Sequence, residues 1–181
     1  MKKKLLAAVV AVALVACCVI GGTLAWLTAE TDPVVNTFTV GNIDITLTET
    51  PATYKILPGT EIAKDPNVTV DASSEDCWLF VKVDEANWPE KVDYSIDSAW
   101  TPLGGVEGVY YIDTPAKGTA IPVLTDNEVV VLDTMTKQEV DAIQSAIEAN
   151  PENAPSLTFT AYAVQKEGFA TAELAWAEAQ Q

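Results

Sequence analysis

Residues 77–84 read Cys-Trp-Leu-Phe-Val-Lys-Val-Asp, and this stretch decides the fold class. Leu79, Val81 and Val83 occupy alternate positions, and Trp78, Phe80 and Lys82 occupy the other set. Period-two alternation is typical of a β-strand. Apolar residues on both faces also predict that the strand lies in the middle of a sheet, where neither face meets water.

Weaker patterns of the same kind occur on both sides of this stretch. Ile43, Ile45 and Leu47 share one face of a predicted strand at residues 43–49. Sequences such as Pro58-Gly59 and Gly104-Gly105 are typical of turns between strands. The remaining strand candidates are residues 37–40, 67–70, 92–100, 106–113, 120–124, 128–132 and 157–164.

Helical spacing replaces the alternation after residue 136. Thr136 and Glu139 have the spacing of a capping box, and apolar residues then recur at helical intervals from Val140 to Ile147. Asn150-Pro151 should end this helix, because proline disfavours helical backbone in the residue before it. Helix-forming residues at 171–179 predict a second, short helix at the C-terminus.

These elements predict a mainly β protein, an antiparallel β-sandwich of jelly-roll type with one inserted helix and a short C-terminal helix. We divide the chain into a leader at residues 1–25, an N-terminal segment at 26–36 and a sandwich domain at 37–181.

The leader has the order of a secretory signal. Three lysines are followed by an uncharged run at residues 5–20, a Gly-Gly break and small residues that end at Ala25. The sequence therefore predicts export, with a signal peptidase cutting between Ala25 and Trp26. Two alternatives stay open: a retained membrane anchor, and lipid attachment at Cys17 after a lipoprotein-like Leu-Val-Ala.

Charge excludes several classes of partner. The net charge of the chain is −16, and it becomes −19 when the three leader lysines are removed. The chain contains no arginine and no histidine. Nucleic acid is therefore not an expected partner, because phosphate contacts need Lys and Arg. Anionic membrane surfaces should repel the mature chain, so membrane contact is expected through an uncleaved leader alone.

The side chains of common catalytic sites are scarce. Without histidine the chain cannot build a Ser-His-Asp triad or the two-histidine zinc motif of a metalloprotease, so we do not expect an enzyme. No cofactor is expected, although clustered carboxylates make calcium an alternative. The metal candidates are Glu75, Asp76, Asp126 and Glu128.

The remaining candidates are aromatic residues and one thiol. Trp88 and Trp100 lie near predicted loops and offer a glycan-binding alternative to core packing. Cys77 is the one cysteine outside the leader, which rules out an intrachain disulfide in the mature chain and favours a small buried side chain.

Two segments carry a resemblance to a known family. Residues 21–28 read Gly-Gly-Thr-Leu-Ala-Trp-Leu-Thr, and residues 36–45 read Asn-Thr-Phe-Thr-Val-Gly-Asn-Ile-Asp-Ile. Together with the turn at Leu57-Pro58-Gly59, they resemble the camelysin/TasA-like family of exported Gram-positive proteins. The resemblance is specific over residues 1–85.

The resemblance implies a jelly-roll sandwich and cleavage by a SipW-type signal peptidase just before Trp26. It also implies a biofilm-matrix subunit whose N-terminal segment completes the sheet of the next subunit. The apolar residues of that donor segment would be Trp26, Leu27, Val34 and Val35. Leu27 stands where a second aromatic residue is common.

The sequence thus predicts a secreted structural subunit of a surface or biofilm-matrix fibre, which associates with itself or with related matrix subunits. One alternative is a monomeric surface module that binds glycan or calcium. The other is a hydrolase that uses carboxylates. The family name implies a metalloprotease, but this chain has no histidine on which to place that activity.

Overall fold

A computed structural model describes residues 41–50 and 55–180. The strand predicted at residues 37–40, the leader and the N-terminal segment lie outside this range. The strands are β1 (Ile45–Thr48), β2 (Thr60–Ala63), β3 (Asn67–Val70), β4 (Cys77–Ala86), β5 (Val92–Asp93), β6 (Thr101–Pro102), β7 (Val109–Asp113), β8 (Ala120–Pro122), β9 (Glu128–Val131) and β10 (Ser156–Gln165). The helices are α1 (Lys137–Ala149) and α2 (Ala172–Ala179).

The strands form three antiparallel sheets in a sandwich-like arrangement. Their orders are β1-β3-β8, β10-β4-β7-β6 and β2-β9-β5. The predicted mainly β fold, with one inserted helix and one short C-terminal helix, is therefore confirmed.

Strand β4 lies in the middle of its sheet, as its sequence predicts. It pairs with β10 along its full length and with β7 over residues 78–82. Leu79 and Val81 on one face are fully buried in the main core. Phe80 on the other face is fully buried in a second core. The apolar residues at successive positions are thus explained by burial of both faces.

The second core is closed by helix α2. Trp176 of α2 packs against Phe80, with 5.3 Å between ring centroids, and meets Tyr162 edge-on at 5.1 Å. At one side of this core the Nζ of Lys166 lies 3.3 Å from the ring centroid of Trp78. The same ammonium group binds Asp113, and this bond holds the pKa of the Asp113 carboxyl below its usual value.

Helix α1 begins with the predicted capping box. The Thr136 side chain accepts from the N–H of Glu139, and the Glu139 carboxylate accepts from the N–H of Thr136 at 2.7 Å. Lys91 adds an ion pair to the same carboxylate at 2.9 Å. The backbone hydrogen bond from Thr136 and these further donors lower the pKa of Glu139 to about 2.

Two local predictions differ from the structure. Residues 60–63 form β2, although the prolines around them suggested turns. The strand expected at 92–100 stops after Asp93, where the N–H of Tyr94 donates to the Asp93 carboxylate at 2.9 Å. Farther along, the N–H of Trp100 donates to the C=O of Asp97 in a turn. Local bonds of this kind compete with a sheet ladder.

Removal of the Phe80 ring should test how far stability depends on the doubly buried strand. We expect Phe80→Ala to lower the free energy of unfolding by about 3–5 kcal/mol, because a fully buried ring leaves a cavity. Urea unfolding measures the change. Leu174→Ala is the control, since that side chain is 57% exposed and should change stability by less than about 0.5 kcal/mol. Equal effects of the two substitutions would contradict this account.

Candidate functional site

The outer edge of β10 is the longest sheet edge without a hydrogen-bonded partner strand among the described residues, although β1 lies close to β10. The N–H of Lys166 donates to the C=O of Asp76 at 2.8 Å, just beyond the end of the β4–β10 pair. This bond shows which residues of β10 direct their backbone groups toward β4. In an antiparallel pair, every second residue exchanges two backbone hydrogen bonds with the residue opposite. The N–H and C=O groups of the residues in between point away from the partner strand. The residues whose N–H and C=O groups point away from β4 are Leu157, Phe159, Ala161, Ala163 and Gln165.

The sequence of β10 does nothing to protect this edge. Residues 156–165 read Ser-Leu-Thr-Phe-Thr-Ala-Tyr-Ala-Val-Gln and contain no charge, proline or glycine. Natural edge strands are normally short, charged or interrupted by proline, because an open edge templates pairing with another chain. The outer edge of β10 therefore has the features of a site for strand addition.

The other edge strands in the described part of the chain are less suited to this role. β5 and β6 have two residues each, and β6 contains Pro102. β8 has three residues and ends in Pro122. β1 and β2 have four residues each, and β2 carries Glu61. A long backbone ladder is consequently available at β10 alone within residues 41–50 and 55–180.

The carboxylates named as metal candidates do not converge on one site. Asp76 is paired with Lys117 at 2.7 Å, which partly satisfies its charge. Asp126 and Glu128 lie close enough to repel each other. Within the described ranges no three acidic, cysteine or histidine side chains come together in a group that could hold a metal ion.

Glu128 nevertheless has an altered titration. Partial desolvation of its carboxylate, followed by repulsion from Glu61 and Asp126, raises the pKa of Glu128. A raised carboxyl pKa means that the folded state binds the proton more tightly than the unfolded state does. The charged form therefore costs stability at neutral pH, and this cost disappears as the pH falls through the folded pKa.

The two tryptophans with possible glycan roles have different environments. Trp100 is 5% exposed and donates its indole N–H to the C=O of Pro122 at 2.8 Å, so it belongs to the core. Trp88 is half-buried and meets Tyr94 edge-on, with 5.9 Å between ring centroids. Burial, and then a hydrogen bond to Glu85, raise the pKa of the Tyr94 hydroxyl.

Trp88 and Tyr94 line an open groove of about 720 Å³. The sequence pointed to Trp88, but it did not reveal the tyrosines and carboxylates that share the groove. These come from strand ends and loops that meet in the fold, and no local sequence pattern signals such a meeting. They are Tyr94, Tyr110, Glu85, Glu90 and Asp93.

The remaining predicted site residues have simple outcomes. The cleavage residues Ala25 and Trp26, and the donor residues Leu27, Val34 and Val35, lie outside the described residues. Cys77 is 1% exposed, and its burial raises the pKa of the thiol. It is a small buried side chain, as predicted, and it is not poised to react.

Comparison with known proteins supports the resemblance seen in the sequence. The model of the camelysin metallo-endopeptidase family matches residues 1–75. No curated protein and no solved structure gives a significant match. No helix within residues 41–50 and 55–180 has the length and apolar character needed to cross a membrane.

Neutralising Glu128 should reveal the repulsion among these carboxylates. We expect Glu128→Gln to raise the melting temperature at pH 7 and to have no effect at pH 3, where the native carboxyl is already protonated. Thermal unfolding followed by circular dichroism measures both values. Glu107→Gln removes one charge from an exposed loop and is the matched control.

The same variants test the calcium alternative. Repulsion without a metal site predicts that millimolar calcium changes the melting temperatures of the native chain and Glu128→Gln equally. If calcium raised the melting temperatures of the native chain and Glu107→Gln but not that of Glu128→Gln, this account would be contradicted and an ion site favoured.

Proposed function

We propose that the protein is an exported structural subunit of a cell-surface or biofilm-matrix fibre, a role suggested by the similarity of residues 1–75 to the camelysin family. Subunits assemble by strand addition, and the acceptor is the outer edge of β10. The observation that carries this proposal is a ten-residue edge with no charge and no proline.

The donor in this scheme is the N-terminal segment of a neighbouring copy. Cleavage after Ala25 releases residues 26–36, which then pair with the acceptor through main-chain hydrogen bonds. Pro33 has no N–H, so it limits the length of regular pairing and helps to set the register. Until cleavage, the leader keeps this segment at the membrane and prevents premature assembly inside the cell.

A non-enzymatic role fits the residues better than proteolysis does. The matched family is described as a metallo-endopeptidase, but this chain has no histidine. Zinc proteases bind their metal chiefly through histidine and keep one position open for water. The described residues offer no alternative group of carboxylates to replace such a site.

The excess negative charge makes assembly dependent on conditions. A net charge of −19 on each mature subunit opposes close packing. We expect light scattering by the mature chain to rise as the pH falls from 7 to 5, or when millimolar calcium is added. Sodium chloride of equal ionic strength is the control for general screening, which weakens repulsion less efficiently than a bound divalent ion. Scattering that depends on neither pH nor calcium would contradict this part of the proposal.

A proline at the outer edge of β10 should block assembly while leaving the fold intact. The N–H of Ala161 points away from β4, so Ala161→Pro removes a donor that only an incoming strand would use. Ala161→Ser keeps that N–H and is the matched control. We expect fibres from the native chain and Ala161→Ser, and monomers from Ala161→Pro, in sedimentation and electron microscopy.

A second proline separates blocked assembly from unfolding. Thr160→Pro removes an N–H that bonds to β4, so it should lower stability markedly. Circular dichroism should therefore show a native spectrum for Ala161→Pro and a loss of structure for Thr160→Pro. Fibres from folded Ala161→Pro would show that β10 is not the acceptor.

The groove at Trp88 favours one alternative function, a surface-displayed glycan-binding module. An aromatic face beside carboxylates offers stacking and hydrogen-bond acceptors for sugar hydroxyls. A glycan array probed with the native chain and with Trp88→Ala tests it. Saturable binding that Trp88→Ala loses would favour the module, and an absence of binding would remove this alternative.

A further inference from the structure

An apolar cleft of about 650 Å³ lies between α1 and the neighbouring strands. Its volume falls in the range of small-molecule sites in proteins. Helix α1 contributes Val140, Ile143 and Ile147, and the strands contribute Ile62, Val129 and Leu157.

Helix α1 does not cover this cleft as an amphipathic helix normally would. Such a helix usually buries its apolar stripe against the core. Here no residue of α1 is fully buried, and Ile143 and Ile147 stay half-exposed. Val140 and Ile143 touch the main core, but they stay partly exposed there. The apolar stripe is therefore only partly covered, and its uncovered part lines a cleft that is available to a ligand.

The charges around the cleft oppose those of the whole chain. The chain has 26 acidic residues, yet the described residues that line the cleft include no aspartate or glutamate. They do include Lys55 and Lys64. Lys64 is 9% exposed and pairs with Glu49 at 2.6 Å, while Lys55 is exposed at the mouth. The cleft is thus apolar inside; Glu49 compensates the charge of Lys64, and Lys55 places one exposed positive charge at the entrance.

We propose that this cleft binds a single-chain amphiphile with an anionic head group. The hydrocarbon chain lies along the apolar stripe of α1, where burial removes its surface from water. The head group lies at the mouth, beside the Lys55 ammonium. The cleft meets the outer edge of β10 at Leu157, but binding of an amphiphile is measured on its own, so the inference does not depend on fibre assembly.

Two ligands of equal chain length and opposite charge test the proposal. Dodecanoate and dodecyltrimethylammonium are titrated below their micellar concentrations into the chain of residues 26–181, followed by calorimetry. Non-specific attraction to a protein of net charge −19 would favour the cation. We expect the opposite order: saturable 1:1 binding of dodecanoate, and weaker binding of the cation without saturation. No saturable heat with dodecanoate, or tighter binding of the cation, would overturn the proposal.

Variants locate the site. Ile143→Trp fills the cleft and should abolish dodecanoate binding, whereas Ala142→Trp places the same ring on an exposed position of α1 and should leave it unchanged. Lys55→Glu should lower the affinity for dodecanoate by about tenfold, because it reverses the charge at the mouth of the cleft. Circular dichroism shows whether each variant is folded. Ile147→Phe fills the same cleft with a smaller increase in side-chain volume and replaces Ile143→Trp if that variant does not fold. Native affinity in a folded cleft-filling variant would also overturn the proposal.

Discussion

Strand β4 is hydrogen-bonded along both edges and buries side chains on both faces, and the rest of the fold depends on that position. Its odd-numbered residues bond to β7 and its even-numbered residues bond to β10. The main core lies on one face, and α2 closes the second core on the other. Cys77, the one cysteine of the described residues, is free, so burial on both faces of β4 stabilises this part of the chain without a disulfide.

The same arrangement creates the candidate acceptor. β10 is held firmly by its ladder with β4, and its other edge has no partner strand among the described residues. An edge strand that is already paired along ten residues loses less conformational freedom when a second strand binds than a free segment would, so its hydrogen bonds can contribute to affinity. Mutual repulsion between acidic subunits opposes this pairing. The balance of the two effects would make assembly sensitive to acid and to divalent ions.

Local sequence was sufficient to predict elements whose pattern is dictated by burial. Residues 77–84 predicted a central strand, and Thr136 and Glu139 predicted the start of α1. Local sequence did not predict elements whose conformation depends on which other strands or turns they contact. β2 pairs with β9 despite the surrounding prolines, and local hydrogen bonds at Asp93 and Asp97 interrupt the strand expected to continue to Trp100.

The candidate sites show the same limit. Trp88 was recognisable as a surface candidate, but its partners in the groove lie up to 22 positions away and converge through the fold. The cleft beside α1 also combines distant residues, from Ile62 to Leu157. An open sheet edge cannot be predicted from its own sequence, because its exposure depends on which strands pair elsewhere. The absence of charge from residues 156–165 became informative once β10 was known to be an edge.

Negative-stain microscopy of two chains over falling pH tests the central claim most directly. One is the proposed mature chain, Trp26–Gln181, and the other lacks residues 26–36. The account predicts fibres from the first chain and dispersed particles from the second, with similar circular dichroism spectra. Dispersed particles from both chains, or fibres from both, would contradict assembly by donation of this segment.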